Sequence, residues 1–368
     1  MPSVIFAEPA HRRARSRIVR VLLSILLCMA LLFGAYNLIF PSLEYSSTLS
    51  GVRPTSLRYW IHGVFASPQS IPGYDGIHQV VEPSVVYAAR GWGKDLSGHS
   101  WKYWMTFAPY PMSNAKDENI SLAVSNNGVK WQIPAGLHNP IVPAPKHGHN
   151  SDQSLFIGPH RTLYALDRWT DRRNGHWRIN ALSSRNGVTW SIPVSIMSGD
   201  KGFPGPISPV AVWNGRKYLL YYTLYSLTRE GHIGSSTIYR ASSHSMFGPW
   251  RHTRPVLGYI GSARVLSRTV KLYPNELNIT RVKHGYYMFL STTSDMFDLL
   301  LHSKHGIHWT PVSNLLHPGF KFGWDAQWIY RGAIVADPNG FQLWYSAKNR
   351  FRQWHIGAAR ITLRRGYL

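Results

Sequence analysis

A chain of 368 residues that is 44% hydrophobic and carries 15 Trp and 20 Tyr can bury a large core, which excludes a disordered or linker-dominated protein. Its one cysteine, Cys28, excludes disulfides, cysteine-ligated zinc and thiol nucleophiles from the folded part. Forty Lys and Arg against 17 Asp and Glu give a formal net charge of +23, which suits either an anionic partner or an acidic habitat.

Arg12, Arg13, Arg15, Arg17 and Arg20 precede a run from Val21 to Phe40 with no charged residue. Such a run reaches the roughly 20 residues a membrane-crossing helix needs, and a basic flank is retained in the cytoplasm. The run is longer than a cleavable leader's apolar stretch, and Leu27 is too bulky for a lipoprotein cleavage site before Cys28. The expected organisation is a cytoplasmic tail (1–20), a transmembrane anchor (21–40), a linker (41–56) and a domain (57–368) on the periplasmic or extracellular side, as in a bacterial inner-membrane protein. Taking the five arginines and Glu8 from 40 bases and 17 acids leaves 35 against 16, a net +19, in the outer domain. Outside the cytoplasm that charge does not point to nucleic acid.

The domain repeats. Ser125-Asn-Asn-Gly-Val-Lys-Trp131, Ser184-Arg-Asn-Gly-Val-Thr-Trp190 and Ser303-Lys-His-Gly-Ile-His-Trp309 share one pattern, and Ser243-His-Ser-Met-Phe-Gly-Pro-Trp250 is a variant of it. Their tryptophans are 59, 60 and 59 residues apart. Runs with strand character precede each box, among them Trp101–Phe107, Arg161–Leu166, Lys217–Tyr222 and Tyr286–Leu290, and a last unit follows with Phe341–Tyr345 and His355–Ile361. Five four-stranded units fit a radial array, since each small sheet buries its faces only against its neighbours and a closed ring has no open edge. The predicted fold is therefore an all-β, five-bladed β-propeller behind one N-terminal transmembrane helix. The last unit is one strand short, and Leu57–His62 is expected to supply its outer strand. The box Gly suits a turn at positive φ, and the boxes read as scaffold.

At these boxes the sequence resembles the five-bladed propeller glycosidases, the arabinanase, xylosidase and invertase-like furanosidase clan, whose blades close with Ser-x-Asp-Gly-x-x-Trp and Ser-x-x-x-x-Gly-Pro-Trp turns. The resemblance implies carboxylates on the innermost strands of the first, third and fourth blades: a base or nucleophile, an orienting Asp and an acid. Innermost strand starts carry Glu82, Asp152, Ser208, Glu276 and Asp325 in units one to five. Glu82 matches the base and Glu276 the acid, while Ser208 stands where the orienting Asp belongs. Asp152 and Asp325 are expected to position the sugar or tune the other two, completing a catalytic set of Glu82, Asp152, Glu276 and Asp325. Flanking residues His78, His149, Asn150, Asn275, Trp324 and Gln327 would line the same mouth and bind sugar through amides and ring faces. Capping of local turns is the competing role for the acids.

No cofactor or metal site is indicated. Ser113-Asn-Ala-Lys116 lacks the companion motifs of penicillin-binding enzymes, and His147 with His149 lacks a third ligand at fixed spacing. The expected function is glycoside hydrolysis of an envelope polysaccharide by carboxylate acid–base chemistry. Two alternatives stand beside it: a non-catalytic module that binds an acidic exopolysaccharide or aids its export, and a glycan phosphorylase or transferase.

Overall fold

The computed structural model describes Ser24 and residues 68–199, 205–265, 268–293, 297–316, 323–338 and 340–362. The Val21–Phe40 run, apart from Ser24, and the Leu57–His62 run lie outside the described residues. Among the described residues no helix is long and apolar enough to cross a membrane.

Five antiparallel sheets carry the fold. The first holds β1 (Val80–Trp92), β2 (Trp101–Pro109) and β3 (Ser121–Ser125), with one bridge from Val124 to Gln132 where a fourth strand would lie. The second holds β4 (Gly148–Ile157), β5 (Leu163–Asp171), β6 (His176–Ser184) and β7 (Val194–Gly199). The third runs β8 (Ile207–Trp213), β9 (Tyr218–Leu227), β10 (Ile233–Ser243) and β11 (Arg251–Leu257). A separate two-stranded hairpin, β12 (Gly261–Val265) with β13 (Arg268–Leu272), belongs to no blade. The fourth blade is β14 (Pro274–Val282), β15 (Gly285–Thr292), β16 (Asp298–Ser303) and β17 (Thr310–Leu316). The fifth is β18 (Trp328–Asp337), β19 (Gly340–Lys348) and β20 (Trp354–Thr362), three strands among the described residues.

The first strand of each sheet packs against the first strands of both neighbours, so β1, β4, β8, β14 and β18 form a closed inner ring. Second strands are covered on both faces by adjoining blades. This is why β2 and β15 read as continuous apolar runs instead of alternating ones. The outermost β11, Arg-His-Thr-Arg-Pro-Val-Leu, is exposed over its first five residues and reads as polar.

The repeated boxes weld blade to blade. Ser125 Oγ accepts from the Asn127 and Gly128 amides, and Asn127 Oδ1 accepts from those of Val129 and Lys130; Ser184 and Asn186 repeat the pattern. The turn brings each box glycine, at φ +73, +81 and +66 for Gly128, Gly187 and Gly306, onto an aromatic ring of the preceding blade. A Cβ at Gly187 would stand 2.0 Å from the Trp104 ring, one at Gly128 2.9 Å from Trp344, and one at Gly306 2.3 Å from Tyr221 Oη. Positive φ and absent space both demand glycine there. Trp344 Nε1 donates to Gly128 O (2.9 Å), Ser346 Oγ accepts from the Glu82 amide (2.7 Å) and Gln69 N donates to Ile356 O (2.9 Å). These three bonds close the fifth blade onto the first.

Candidate active site

Every inner strand has a register break near its start, between Val81 and Ser84, Ser151 and Ser154, Ile207 and Val210, Pro274 and Leu277, and Ile329 and Gly332. Breaks of this kind re-aim side chains and end pairing. The residues inside them are Glu82-Pro83, Asp152-Gln153, Ser208-Pro209, Asn275-Glu276 and Tyr330-Arg331. Glu82, Asp152 and Ser208 hold left-handed φ values of +60, +56 and +51, a conformation costly for residues with a side chain and concentrated at functional sites.

Three of the four expected acids therefore meet on the axis. Glu82, Asp152 and Glu276 are all buried, at 1%, 4% and 1% exposure. Glu82 Oε2 accepts from the Asp152 amide (2.7 Å), and the carboxyls of Asp152 and Glu276 share a hydrogen bond. Asp325 does not join them. It precedes β18, and the fifth-blade break is occupied by Tyr330 and Arg331. Its carboxyl accepts from Tyr345 Oη (3.3 Å), whose ring lies in the core between the fourth and fifth blades.

Four charged or polar groups that the motif reading passed over complete the cluster. Arg331, fully buried, brings Nη1 to 3.3 Å from Glu276 Oε2, and Tyr330 Oη donates to Glu276 Oε1 (3.0 Å). Arg168 Nη1 stands 3.5 Å from Asp152 Oδ2, which also accepts from Ser151 Oγ (2.8 Å). Glu118, just after a 3-10 turn over Ala115–Asp117, contacts His149 Nε2 at 3.6 Å. A signal for Arg331 was present: it interrupts the largely apolar, buried run of β18, where a cation is rare unless paired.

Protonation divides the carboxyls. Burial pushes Glu276 well above the ordinary carboxyl range and the Asp152 charge adds to it, against Arg331. Glu82 is raised in the same way by burial and by Asp152 and Glu118. Glu118 is pushed up to about 8 by burial and Asp152, against Arg168 and Arg172. Burial acts on Asp152 too, yet Arg168 and Arg331 hold it below its usual value. Asp152 is thus the carboxylate and Glu276 the proton carrier in their shared bond. Burial with Arg172 and Arg168 lowers His149 to about 4. The His149–Glu118 contact is accordingly a neutral pair at pH 7, not an ion pair. Arg331 Nε and Nη2 have no acceptor among the described residues.

The remaining sequence-predicted residues divide. His149 lies beside Glu118; the Asn150 amide group donates to Asn119 Oδ1 and Pro143 O, and Asn275 Oδ1 accepts from Tyr225 Oη. His78 is exposed, with Nδ1 at 2.9 Å from Ile71 O, and Gln327 is exposed at the start of the fifth blade. Trp324 packs on Tyr345, 5.2 Å between centroids, beside Asp325. Ser208 Oγ accepts from Leu277 N (2.8 Å) and donates to Leu277 O (3.3 Å), fastening the third blade to the fourth. The opposite mouth holds a cavity of about 430 Å³ lined by the ends of all five inner strands and by no carboxyl. Among the described residues no cluster of His, Cys, Asp and Glu is arranged to hold a metal ion.

No family model matches the chain. The sequence is similar to an A type blood N-acetyl-alpha-D-galactosamine deacetylase of Flavonifractor plautii, 24% identical over 329 residues covering 76% of this chain and 42% of the relative. The chain thus spans less than half of that relative's length. In structure it is similar to an N-acetylgalactosamine deacetylase from F. plautii in complex with blood group B trisaccharide, with a TM-score of 0.68 and 21% identity over 80% of this chain and 94% of that one. A thermostable family-43 glycoside hydrolase gives 0.57 at 12% identity over 82% and 94%. The GH43_1 enzyme of Xanthomonas citri complexed with xylose gives 0.56 at 12% over 84% and 93%. The chain has the five-bladed propeller fold of these glycoside hydrolases.

Proposed function

We propose that this protein is a carbohydrate-acting hydrolase that removes the acetyl group from an N-acetylated sugar of an envelope polysaccharide, and that the Val21–Phe40 run anchors it to the membrane with the propeller outside. The observation that carries the reading is the proton shared between Asp152 and Glu276. Two carboxyls sharing one proton suit water addition to a carbonyl carbon. Asp152 takes a proton from the attacking water as its oxygen bonds to the acetyl carbon. Arg331, whose Nε and Nη2 have no acceptor among the described residues, would offer N–H groups to the oxygen charge that develops, and Glu276 gives its proton to the nitrogen as the C–N bond breaks, leaving acetate and an amine. The likeness to the deacetylases, in sequence and in fold, supports the same bond.

Glycosidic hydrolysis is the second reading, favoured by the placement of Glu82 and Glu276 on the first and fourth inner strands. Incubation with N-acetylated oligosaccharides decides between them. Acetate without new reducing ends is the expected result. Reducing ends without acetate would establish the glycosidase, and retention of glycan with neither product would reduce the protein to a binding module. Protease treatment of spheroplasts, whose outer face of the inner membrane is accessible, should remove the propeller and spare residues 1–20; protection of the propeller there would refute the orientation.

A further inference from the structure

The fifth blade extends the site outward along a wall of rings. Tyr330, bonded to Glu276, lies 5.8 Å from Trp354, and Trp354 lies 5.8 Å from Tyr110 and 6.2 Å from Trp328, between ring centroids. Trp354 is buried, whereas Trp328 is 40% exposed. Lys348, at the end of β19, places Nζ 3.3 Å from the Trp328 centroid and 5.2 Å from that of Trp354. An indole wedged by a cation and a second indole is held in one orientation before any ligand arrives, which is what a sugar-stacking face requires.

Two exposed arginines reach the same mouth from different blades. Arg172 sits in the turn after β5 and Arg352 in the turn after β19, at φ +65. Asp171, just before Arg172, pairs with Gly148 at the head of β4, and Trp354, two residues after Arg352, pairs with Lys348, itself opposite Trp328 at the head of β18, so both turns lie at the end of the propeller where the inner strands bring in the carboxyls. Carboxylates close by in sequence are bound to neutral donors: Asp171 accepts from Arg173 N and Asn174 Nδ2, and Asp117 from Asn114 Nδ2. The rim is therefore cationic and flat-walled.

We propose that Trp328, Arg172 and Arg352 form a subsite for an anionic sugar, a uronate or a sulfated unit, next to the N-acetylated unit on which the carboxyls act; this inference rests on the reading of the site given above. Guanidinium forks match carboxylate and sulfate oxygens while the sugar ring lies on the indole.

The test is titration of the full-length chain with a chondroitin tetrasaccharide, which alternates glucuronate with N-acetylgalactosamine, with its sulfated form, and with neutral chitotetraose. At least one anionic ligand should bind tenfold or more tighter than chitotetraose at low salt, with the advantage shrinking as salt is raised. Tight binding of the unsulfated form identifies carboxylate as the group read, and tight binding of the sulfated form alone identifies sulfate. The double variant Arg172→Gln/Arg352→Gln should remove most of the advantage, Arg251→Gln on the outer β11 should keep it, and Trp328→Ala should weaken all three ligands. Equal affinity for all three, or an Arg251→Gln effect as large as that of the rim pair, overturns the proposal. Tight, rim-dependent binding without acetate release would instead refute the amide reading and leave the subsite standing.

Discussion

Replacing Glu118 by Gln removes one ionisable carboxyl from the buried cluster while keeping its volume and its backbone, whose carbonyl accepts from Asn150 N (3.0 Å). Burial raises this group from the ordinary 4.5 to about 8. The folded chain therefore holds the proton more tightly than the unfolded chain, so the stabilisation is complete below pH 4.5 and is lost as pH rises through 8. Between pH 6.5 and 9.5 the unfolded carboxyl is ionised throughout while the folded one loses its proton, which costs about 2 kcal/mol by proton linkage. This window lies above the range in which His149, lowered to about 4, exchanges protons in the folded state. Urea unfolding at the two pH values reads the difference directly. Glu118→Gln should lose about 2 kcal/mol less than the parent on going to pH 9.5, or about 3 °C in Tm for a domain of roughly 300 residues. Equal losses in the two proteins would refute the buried, proton-holding state of Glu118.

Glu276→Gln should lower kcat/KM for acetate release by about 10²–10⁴, the usual contribution of a positioned general acid, with an unchanged melting transition; activity within threefold of the parent would remove Glu276 from proton transfer. The pH–rate profile should rise through the depressed Asp152 and fall as pH passes the raised Glu276, and loss of the alkaline limb is read from the profile above neutrality. Ser208→Ala breaks both bonds to Leu277 and should cost about 1–3 kcal/mol in urea unfolding, with kcat within threefold; a large fall in kcat would place chemistry on the third blade. Gly187→Ala forces a Cβ to 2.0 Å from the Trp104 ring at φ +81, and should destabilise by about 3 kcal/mol or more; a neutral effect would mean the weld between the first two blades is slack.

The blade count was legible because it is written locally. Each box needs only a Ser, joined by an Asn in two of the four, to hold a tight turn, a Gly for positive φ and a Trp to cover it, and the Ser, Gly and Trp recur with tryptophans 59 or 60 residues apart. The middle strands announced themselves as unbroken apolar runs because blades cover both of their faces. Glu82 and Glu276 were legible for a related reason: an acid at the head of an apolar strand is unusual enough to mark the axis.

What remained hidden depends on register and on contacts between blades. Asp325 and Tyr330 stand five residues apart; the break between Ile329 and Gly332 holds Tyr330 and Arg331, which reach Glu276, whereas Asp325, ahead of the strand, accepts from Tyr345 Oη. Glu118 reaches the axis from a 3-10 turn with no repeat to mark it. Which carboxyl keeps a proton was equally beyond the chain order, since Asp152 and Glu276 differ through guanidiniums supplied by other strands, Arg168 on β5 and Arg331 on β18. Turns and apolar periodicity are properties of neighbouring residues and so determined the propeller; hydrogen bonding, desolvation and charge act through space, and only the tertiary structure could decide the site's chemistry.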